Sequence, residues 1–335
     1  MARRPRATDQ AKYGIGEWYG KLYKNIGSTE RAAYLNPSPI PDCPFLAAVP
    51  DLAPRGSIKC SKKGGVCSIR NFTEQEDGQL RFGPLTATCP NRFLEDRTVI
   101  KEIGSRLIRT DDPVVVKEIA FLRRVTAAPV AGDDVDLVNE AAGEQPDSED
   151  VGKIDLVFVH PDRDPLEWCA VEMQAVYFSG GSMSRDYEVI KNYSGNGIPM
   201  PGAARRPDFR SSGPKRLMPQ LQIKVPSLRR WGKKMVVIID KPFLDAMAPM
   251  ETVDHVSNCD IVWVVVNYDE NVDPGKAVLV VEKVVLTTLE ASVVGLTAGV
   301  PTTMPEFESR LSQKVAQQKL ARQIAQTPEI PDLDL

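Results

Sequence analysis

The sequence predicts an α/β protein built on a mixed sheet flanked by helices, and three observations indicate this class. Apolar residues recur at helical spacing over residues 91–109, and three strand-like runs follow between residues 113 and 178. A second set of β-rich runs begins at residue 234. With 335 residues and 42% hydrophobic content, the chain is long enough to bury a sizeable core.

The first 91 residues are expected to form a subdomain of their own. A helix is predicted over residues 13–24, and "GSTE" at 27–30 is typical of the capped start of a second, short helix. Residues 36–91 are rich in Pro and Gly with little periodicity, so we expect no core there unless a bound metal staples the segment. The chain is therefore divided into residues 1–91 and a core over residues 92–335.

The elements of the core follow in chain order. In the helix over residues 91–109, helical spacing places Phe93, Ile100, Ile103 and Leu107 on one face. We then expect strands at 113–121, 153–159 and 167–178, and a helix at 183–193. Beyond these we expect a basic helix over 213–231 interrupted at Pro219 and Pro226, strands at 234–240, 259–268 and 277–286, and a polar helix at 306–324.

The formal net charge of −3 conceals two segregated tracts. Residues 132–150 hold eight acidic residues and no basic one, which is typical of a solvated loop. Residues 205–234 hold ten Lys or Arg residues against the single Asp208. Because phosphate contacts dominate nucleic-acid affinity, this tract is a candidate DNA-binding region, and a solvated face is the alternative.

The expected cellular compartment decides how the clustered cysteines are interpreted. No apolar run approaches the ~20 residues that a membrane helix needs, and the N-terminus lacks the apolar stretch of a secretory signal, so we expect a cytoplasmic protein with no membrane partner. Disulfides are rare in that compartment, so the four clustered cysteines indicate metal ligation, although their spacing matches no zinc finger or ribbon. These four are Cys43, Cys60, Cys67 and Cys89.

The candidate catalytic residues lie on two successive strands. Asp155 falls within "KIDLVFV", and Glu172 and Gln174 fall within "VEMQ", two residues apart and so on one face of a strand. Neighbouring strands would bring Asp155 and Glu172 together in an oxygen-rich cleft suited to Mg²⁺. This is the D-x(n)-E-x-K layout of the PD-(D/E)XK nucleases, with Gln174 at the lysine position. The neutral amide adds no positive charge, so a further metal or a donor from elsewhere would have to compensate.

The remaining acidic, histidine and cysteine residues give weaker indications of a functional site. Glu95 and Glu102 on the preceding helix are candidate further acids, with solvated helix residues as the alternative. With only His160 and His255 in the chain, histidine-based hydrolase sites are hard to build, and we find no P-loop and no nucleophile elbow. Cys169 and Cys259 lie in apolar strand-like runs and are expected to be buried core thiols.

The motifs together resemble one family. "STE" at 28–30, "CPFL" at 43–46, "GVC" at 65–67, "CPNR" at 89–92 and "VEMQAVYFSGG" from residue 171 follow, in order, the pattern of the NotI restriction endonucleases. The resemblance is clear over residues 28–92 and again over 155–181.

The resemblance implies a homodimeric type II restriction endonuclease with a PD-(D/E)XK core and an N-terminal four-cysteine metal-binding subdomain. It maps the active site to Asp155, Glu172 and Gln174, with Mg²⁺ on the two acids, and cleavage of double-stranded DNA at a GC-rich palindrome. It also implies a structural iron on the four clustered cysteines, for which zinc is the alternative because tetrahedral thiolate sites accept both. A cognate DNA methyltransferase is expected in the same system.

The residues expected to contact DNA belong to the basic tract, with help from Arg92, Lys62 or Lys63. They are Arg205, Arg206, Arg210, Lys215, Arg216, Lys224, Arg229 and Arg230. Two alternatives stay open from the sequence: a catalytically inactive DNA-binding protein of the same fold, and a repair nuclease that reads DNA structure. For a dimer interface, the β-rich region at 259–286 and the C-terminal helix are the candidates.

Overall fold

A computed structural model describes residues 12–54, 56–123, 150–299 and 302–326. The predicted acidic loop lies outside these residues except for its last position, which begins a strand. The chain up to Thr297 forms one compact unit, and a second unit begins at Ala298. The expected boundary between residues 91 and 92 therefore falls inside the first unit.

The strands and helices are numbered in chain order. The strands are β1 (Lys12–Trp18), β2 (Lys21–Leu22), β3 (Val66–Glu74), β4 (Leu80–Phe82), β5 (Thr86–Ala87), β6 (Val114–Arg123), β7 (Asp150–Val159), β8 (Trp168–Met173), β9 (Phe178–Gly180), β10 (Arg205–Pro207), β11 (Met235–Asp240), β12 (Ile261–Asp273) and β13 (Lys276–Thr287). The α-helices are α1 (Ser28–Leu35), α2 (Thr98–Ile103), α3 (Ser184–Asn192), α4 (Phe209–Ser212), α5 (Met218–Arg230), α6 (Lys241–Asp245), α7 (Leu289–Thr297) and α8 (Met304–Gln326), the last lying in the second unit.

The main sheet confirms the predicted mixed α/β architecture. In the described residues its strand order is β13-β12-β11-β8-β7-β6, and β11 runs parallel to both of its neighbours while the other pairs are antiparallel. Every residue of β11 is buried, which is why its sequence "MVVIID" is a continuous apolar run and not an alternating one.

Helices cover both faces of this sheet. On one face, Val236 and Ile238 of β11 share a core with Phe93 and Ile100 from the predicted helix at 91–109. That helix is realised as a 3₁₀ segment (Pro90–Arg97), α2 and a π segment (Gly104–Ile108). On the opposite face, the alternate residues of β11 contact α5.

The basic helix at 213–231 is predicted correctly, but its expected interruptions are wrong. The chain stays helical from α4 through a π segment (Gly213–Leu217) into α5, and Pro219 lies just after the change from π to α geometry. Pro226 lies inside α5, which continues past it to Arg230. The buried face of α5 packs on the main sheet, and this packing offsets the hydrogen bond that Pro226 cannot donate.

The predicted N-terminal helix at 13–24 is wrong, because this stretch forms β1 and β2. β1 pairs antiparallel with β3 from Lys12 opposite Phe72 to Trp18 opposite Val66. A Cβ atom at Gly14 would lie 2.5 Å from Pro201 Cγ, and one at Gly16 would lie 2.6 Å from a methyl carbon of Leu85. Glycine permits these close approaches in the strand, and it disfavours the helix.

Residues 36–91 contribute to a buried core, and the expectation that a bound metal staples this segment stays a prediction. Trp18, Ile69 and Phe72 are buried together where β1 packs with β3, and the Trp18 ring stacks on Tyr187 of α3 at 5.6 Å between centroids. The remaining predicted strands and helices are confirmed, except that the strand expected at 167–178 ends at Met173 and resumes as β9. In the described part of the chain, no helix has both the length and the apolar character of a membrane span.

The fully buried Arg92 joins the main sheet to the N-terminal sheet, whose strand order is β2-β1-β3-β4 with β5 paired to β3. Its Nε donates to both carboxylate oxygens of Glu17 on β1 at 3.0 Å, and Nη1 donates to Glu95 at 2.9 Å. Nη2 donates to the Ala277 carbonyl of β13 at 2.6 Å. Burial would lower the pKa of Arg92, but Glu17 and its other neighbours raise the pKa, so the buried guanidinium stays charged. The expectation that Arg92 contacts DNA is therefore corrected.

We expect Arg92→Met to lower the free energy of unfolding by about 3–5 kcal/mol, because the Glu17 carboxylate is left buried without its partner. Denaturant unfolding measures this loss. The control is Arg106→Met, which breaks the exposed i,i+4 pair with Glu102 and should cost only about 0.3–0.5 kcal/mol. Equal unfolding midpoints for the two variants would contradict this account of Arg92.

Candidate active site

The main sheet brings the two predicted acids together. β7 and β8 are antiparallel neighbours with Leu156 opposite Val171, so Asp155 and Glu172 follow as the next residues of this register. The Met173 N–H donates to Asp155 Oδ2 at 3.1 Å, and the Asp155 N–H lies 3.4 Å from Glu172 Oε1. The expected pairing of these two strands is confirmed.

Gln174 follows directly on the last residue of β8, and its backbone is fixed from the neighbouring strand. Its N–H donates to the Ile238 carbonyl of β11 at 3.0 Å. Two residues on, the Val176 N–H donates to the Ala87 carbonyl at 2.8 Å, and the Ala87 N–H donates to the buried Asp240 at 2.6 Å. These bonds lead the chain out of the main sheet towards β5, which is why β8 ends at Met173.

A cavity of about 540 Å³ lies over the ends of these strands. Asp155, Glu172 and Gln174 all line it, as the sequence predicts for residues of one cleft. The cavity wall also includes Lys62 and Thr88 from the cysteine-rich segment, and Lys62 Nζ donates to the Thr88 carbonyl at 2.6 Å. On the side of the basic tract, the wall includes Arg216 and Gln220.

The structure corrects the predicted place of Lys224. Charge density along the sequence puts it among the exposed DNA contacts, but it is buried, and its Nζ lies 2.5 Å from Glu172 Oε1 and 3.3 Å from Gln220 Oε1. A signal for burial is present in the sequence: with Leu221, Val225 and Leu228, Lys224 falls at the i, i+3, i+4 spacing of the buried face of α5.

Burial and charge shape the protonation of the two acids. Burial raises the pKa of Glu172 to about 7, the neighbouring Asp155 contributes to this rise, and Lys224 opposes both effects. Burial also raises the pKa of Asp155, against the Met173 N–H and Lys224. Among the described residues, Lys224 is the cation that pairs with this carboxylate pair, while Lys62 and Arg216 line the same cavity and pair with neither acid.

The donor set fits a hard divalent cation. Asp155 and Glu172 supply carboxylate oxygens in a cavity large enough for water and a phosphate group, the ligands that Mg²⁺ prefers. Glu95 and Glu102 do not line this cavity. Glu95 binds Arg92 and the Leu279 N–H instead.

Arg205 is buried, in contrast to most of the predicted DNA contacts. Its Nη1 donates to Asp186 at 2.9 Å, and its other donors reach the carbonyls of Tyr13, Gly181 and Ser182. Because its donors are engaged inside the fold, the expectation that Arg205 contacts DNA is corrected, as is that for Lys224. The six that remain are exposed, namely Arg206, Arg210, Lys215, Arg216, Arg229 and Arg230.

Two of the exposed arginines are held in place. The Arg216 guanidinium lies 3.8 Å from the centroid of the Tyr177 ring, and both residues line the cavity. Arg229 pairs with Asp260 at 2.5 Å and with Glu290 at 3.3 Å. Arg216 is thus the member of the basic tract that shares a cavity with the acids.

The four clustered cysteines lie within electrostatic reach of one another. Burial raises the pKa of Cys67 and Cys89, and the charges of neighbouring cysteines, including Cys60 in both cases, raise the pKa further. Burial raises the pKa of Cys60, as does the charge of Cys43. Among the described residues, however, no group of three or more His, Cys, Asp or Glu side chains has an arrangement that could hold a metal ion.

The two remaining cysteines and the two histidines lie outside the candidate site. Cys169 and Cys259 are buried in the core beside the main sheet, which confirms them as core thiols. His160 and His255 accept hydrogen bonds from nearby backbone N–H groups in turns, and neither lines the cavity.

The fold and the cleft define a class of protein. A mixed sheet presents paired carboxylates in an open cavity beside the exposed Arg216, an arrangement compatible with an enzyme that acts on a phosphate-rich polymer.

The sequence comparison identifies the family within that class. The family model described as Restriction endonuclease NotI matches residues 35–279, and the chain belongs to this family. Membership indicates a type II restriction endonuclease, a site-specific deoxyribonuclease that binds double-stranded DNA. No curated protein matches the chain. The matched range includes the four clustered cysteines, the cavity acids and Lys224.

Proposed function

We propose that the protein hydrolyses phosphodiester bonds of double-stranded DNA at a GC-rich palindrome, with Mg²⁺, in a PD-(D/E)XK core. The observation that carries the proposal is the pairing of Asp155 and Glu172 on neighbouring strands, in one cavity with Gln174. The element order supports it: α2, three antiparallel strands (β6 to β8), α5 and the parallel strand β11.

Each residue of the cleft has a distinct role in this proposal. Asp155 and Glu172 would hold a Mg²⁺ ion, which would supply positive charge at the scissile phosphate and favour a hydroxide nucleophile near neutral pH. Gln174 orients the attacking water through hydrogen bonds. The surrounding wall, with Lys62 on one side and Arg216 on the other, positions the DNA backbone over the acids.

We expect Glu172→Gln and Glu172→Ala to abolish cleavage while DNA binding persists, because the variants remove a ligand of the metal and no DNA contact. The assay digests long unmethylated phage DNA with and without Mg²⁺ and measures binding separately by gel shift. Glu188→Ala, which alters a glutamate on α3 outside the cavity, is the control and should cut like the wild type. Cleavage retained by both Glu172 variants would refute the assignment.

The same digest separates the proposed activity from the alternatives. Discrete Mg²⁺-dependent bands indicate a site-specific endonuclease, and their ends give the recognition sequence. Cleavage that tracks nicks, flaps or mismatches indicates a structure-specific repair nuclease. Tight binding without cutting by the wild type indicates an inactive DNA-binding protein.

For DNA recognition we propose the exposed set Arg206, Arg210, Lys215, Arg216, Arg229 and Arg230, where bidentate arginine contacts to guanine would suit a GC-rich site. The proposal leaves Arg205 and Lys224 out, because both are buried. Arg216 is the strongest member, since the Tyr177 ring holds its guanidinium at the cavity.

We expect Arg216→Ala to weaken DNA binding. If Arg216 binds a phosphate, the slope of log Kobs against log salt becomes shallower by about 1 in the variant. If Arg216 reads guanine instead, the loss of affinity falls on the cognate site, by about 1–3 kcal/mol. Fluorescence anisotropy on cognate and scrambled duplexes at several salt concentrations makes the measurement.

The control for this prediction is Arg106→Ala. Arg106 is exposed on the π segment that covers the opposite face of the main sheet, so its removal should leave both the affinity and the salt slope unchanged. Equal affinities and slopes for the two variants would count against Arg216.

We propose further that Cys43, Cys60, Cys67 and Cys89 bind one structural metal per chain, iron by family resemblance and zinc as the alternative. Family membership supports this proposal, because the matched range, residues 35–279, includes all four cysteines. In the described residues the four side chains are not arranged as a metal site, so the proposal requires them to move together when the metal binds. The segment 1–91 is then a metal-stabilised part of the first compact unit, and 92–335 carries the nuclease core.

We expect purified protein to contain one metal per chain by elemental analysis, and Cys67→Ser to lower metal content and thermal stability together. Cys169→Ser, which alters a buried core thiol, is the control and should leave the metal content unchanged. Fully folded wild-type protein without metal would contradict the proposal.

The biological setting follows from the proposed activity. A single active centre cuts one strand, and a two-fold palindrome is most simply read by a two-fold protein, so we propose a homodimer. We propose that it acts in the cytoplasm beside a methyltransferase that protects the sites of the host DNA.

A further inference from the structure

We propose that Lys224 is a positioning residue for Glu172 and supplies, from helix α5, the positive charge that the neutral Gln174 does not bring to the site. This inference rests on the proposed nuclease function. It concerns how the acid pair is held and charged, and it assigns to Lys224 no direct contact with the DNA.

Gln174 cannot fill the role of a lysine at its own position. It is a neutral amide, and its Nε2 already donates to the Ala175 carbonyl at 2.6 Å. Without Lys224, Asp155 and Glu172 would have no cation paired with them, opposite a substrate that is itself an anion.

The position of Lys224 is explained by its partner. It lies on the buried face of α5 between Leu221 and Leu228, where an apolar side chain would pack without the cost of desolvating an ammonium. Its side chain reaches Glu172 Oε1 at 2.5 Å, and it also acts electrostatically on Asp155. Its other side-chain partner in the described structure is the neutral amide of Gln220, so the charge of Lys224 serves the acid pair.

The contact also fixes which oxygen of Glu172 faces the cavity. In the described part of the chain, the hydrogen bonds to the Glu172 carboxylate come from Lys224 Nζ and the Asp155 N–H, and both fall on Oε1. This anchoring leaves Oε2 available to a cation in the cavity that Asp155 and Glu172 line. Lys224 thus sets the rotamer of Glu172 and offsets one of the two negative charges.

Lys224→Met tests this role, since it removes the charge at similar length. We expect single-turnover cleavage to fall by about 100-fold or more, in the range of removing one positioned charged group. Without DNA, divalent-ion affinity by calorimetry should be equal or tighter, because the ion no longer competes with an ammonium. The gain in Tm on adding Ca²⁺ or Mg²⁺ should exceed that of the wild type, because the ion replaces the missing charge.

Two further variants separate positioning from folding. Lys24→Met breaks a half-buried lysine–glutamate pair with Glu270 outside the cavity and should change neither cleavage nor the Tm gain with divalent ions. Lys224→Met combined with Gln174→Lys returns one positive charge to the cleft and should recover cleavage by about tenfold or more over Lys224→Met.

The outcomes are distinct. Wild-type cleavage rates in Lys224→Met, or a double variant no better than Lys224→Met, would overturn the role of Lys224 and leave the nuclease proposal standing. A Tm gain with divalent ions no larger than in the wild type would overturn it too. Failure of the wild type to cut any DNA would instead remove the proposed function, and the divalent-ion measurements would still report on Lys224.

Discussion

The buried charge of Arg92 is the interaction on which the rest of the structure depends. Its guanidinium binds Glu17 on β1, Glu95 in the 3₁₀ segment and the Ala277 carbonyl of β13, and it lies over the rings of Phe45 and Tyr268. The N-terminal sheet and the main sheet therefore meet around one cation. Such a centre tolerates little displacement, because each of its partners is also removed from water.

The geometry of the cleft follows from that junction. Ala87, Thr88 and Cys89 precede the segment that holds Arg92. The Thr88 carbonyl accepts a hydrogen bond from Lys62, and the Ala87 carbonyl accepts one from the Val176 N–H. The acids come from β7 and β8, and their countercharge comes from α5 on one face of the main sheet. The candidate site is thus assembled from three distant parts of the chain that only the tertiary fold brings together.

Sequence reasoning succeeds where local pattern and tertiary structure agree. The strand β11 is predictable because a continuous apolar run of this length is typical of a strand buried on both faces. The pairing of Asp155 with Glu172 is predictable because a carboxylate on a buried strand needs a partner or a bound cation. The stretch at 13–24 is misassigned because the glycines at 14 and 16 serve a close packing that only the folded chain reveals. Lys224 is misassigned because charge density along the sequence ignores helical phase. Phase decides that Lys224 is buried, while Arg229 and Arg230 of the same helix are exposed.

Lys62 and Thr88 give the cavity a wall that belongs to the cysteine-rich segment, whereas both acids lie more than sixty residues further along the chain. A fragment beginning after residue 91 would carry Asp155, Glu172, Gln174 and Lys224 and still lack that wall. The chain therefore completes its cleft only when its beginning has docked onto its middle. For an enzyme of a family that cuts DNA, the consequence is that truncated or half-folded copies would present the acids without this wall.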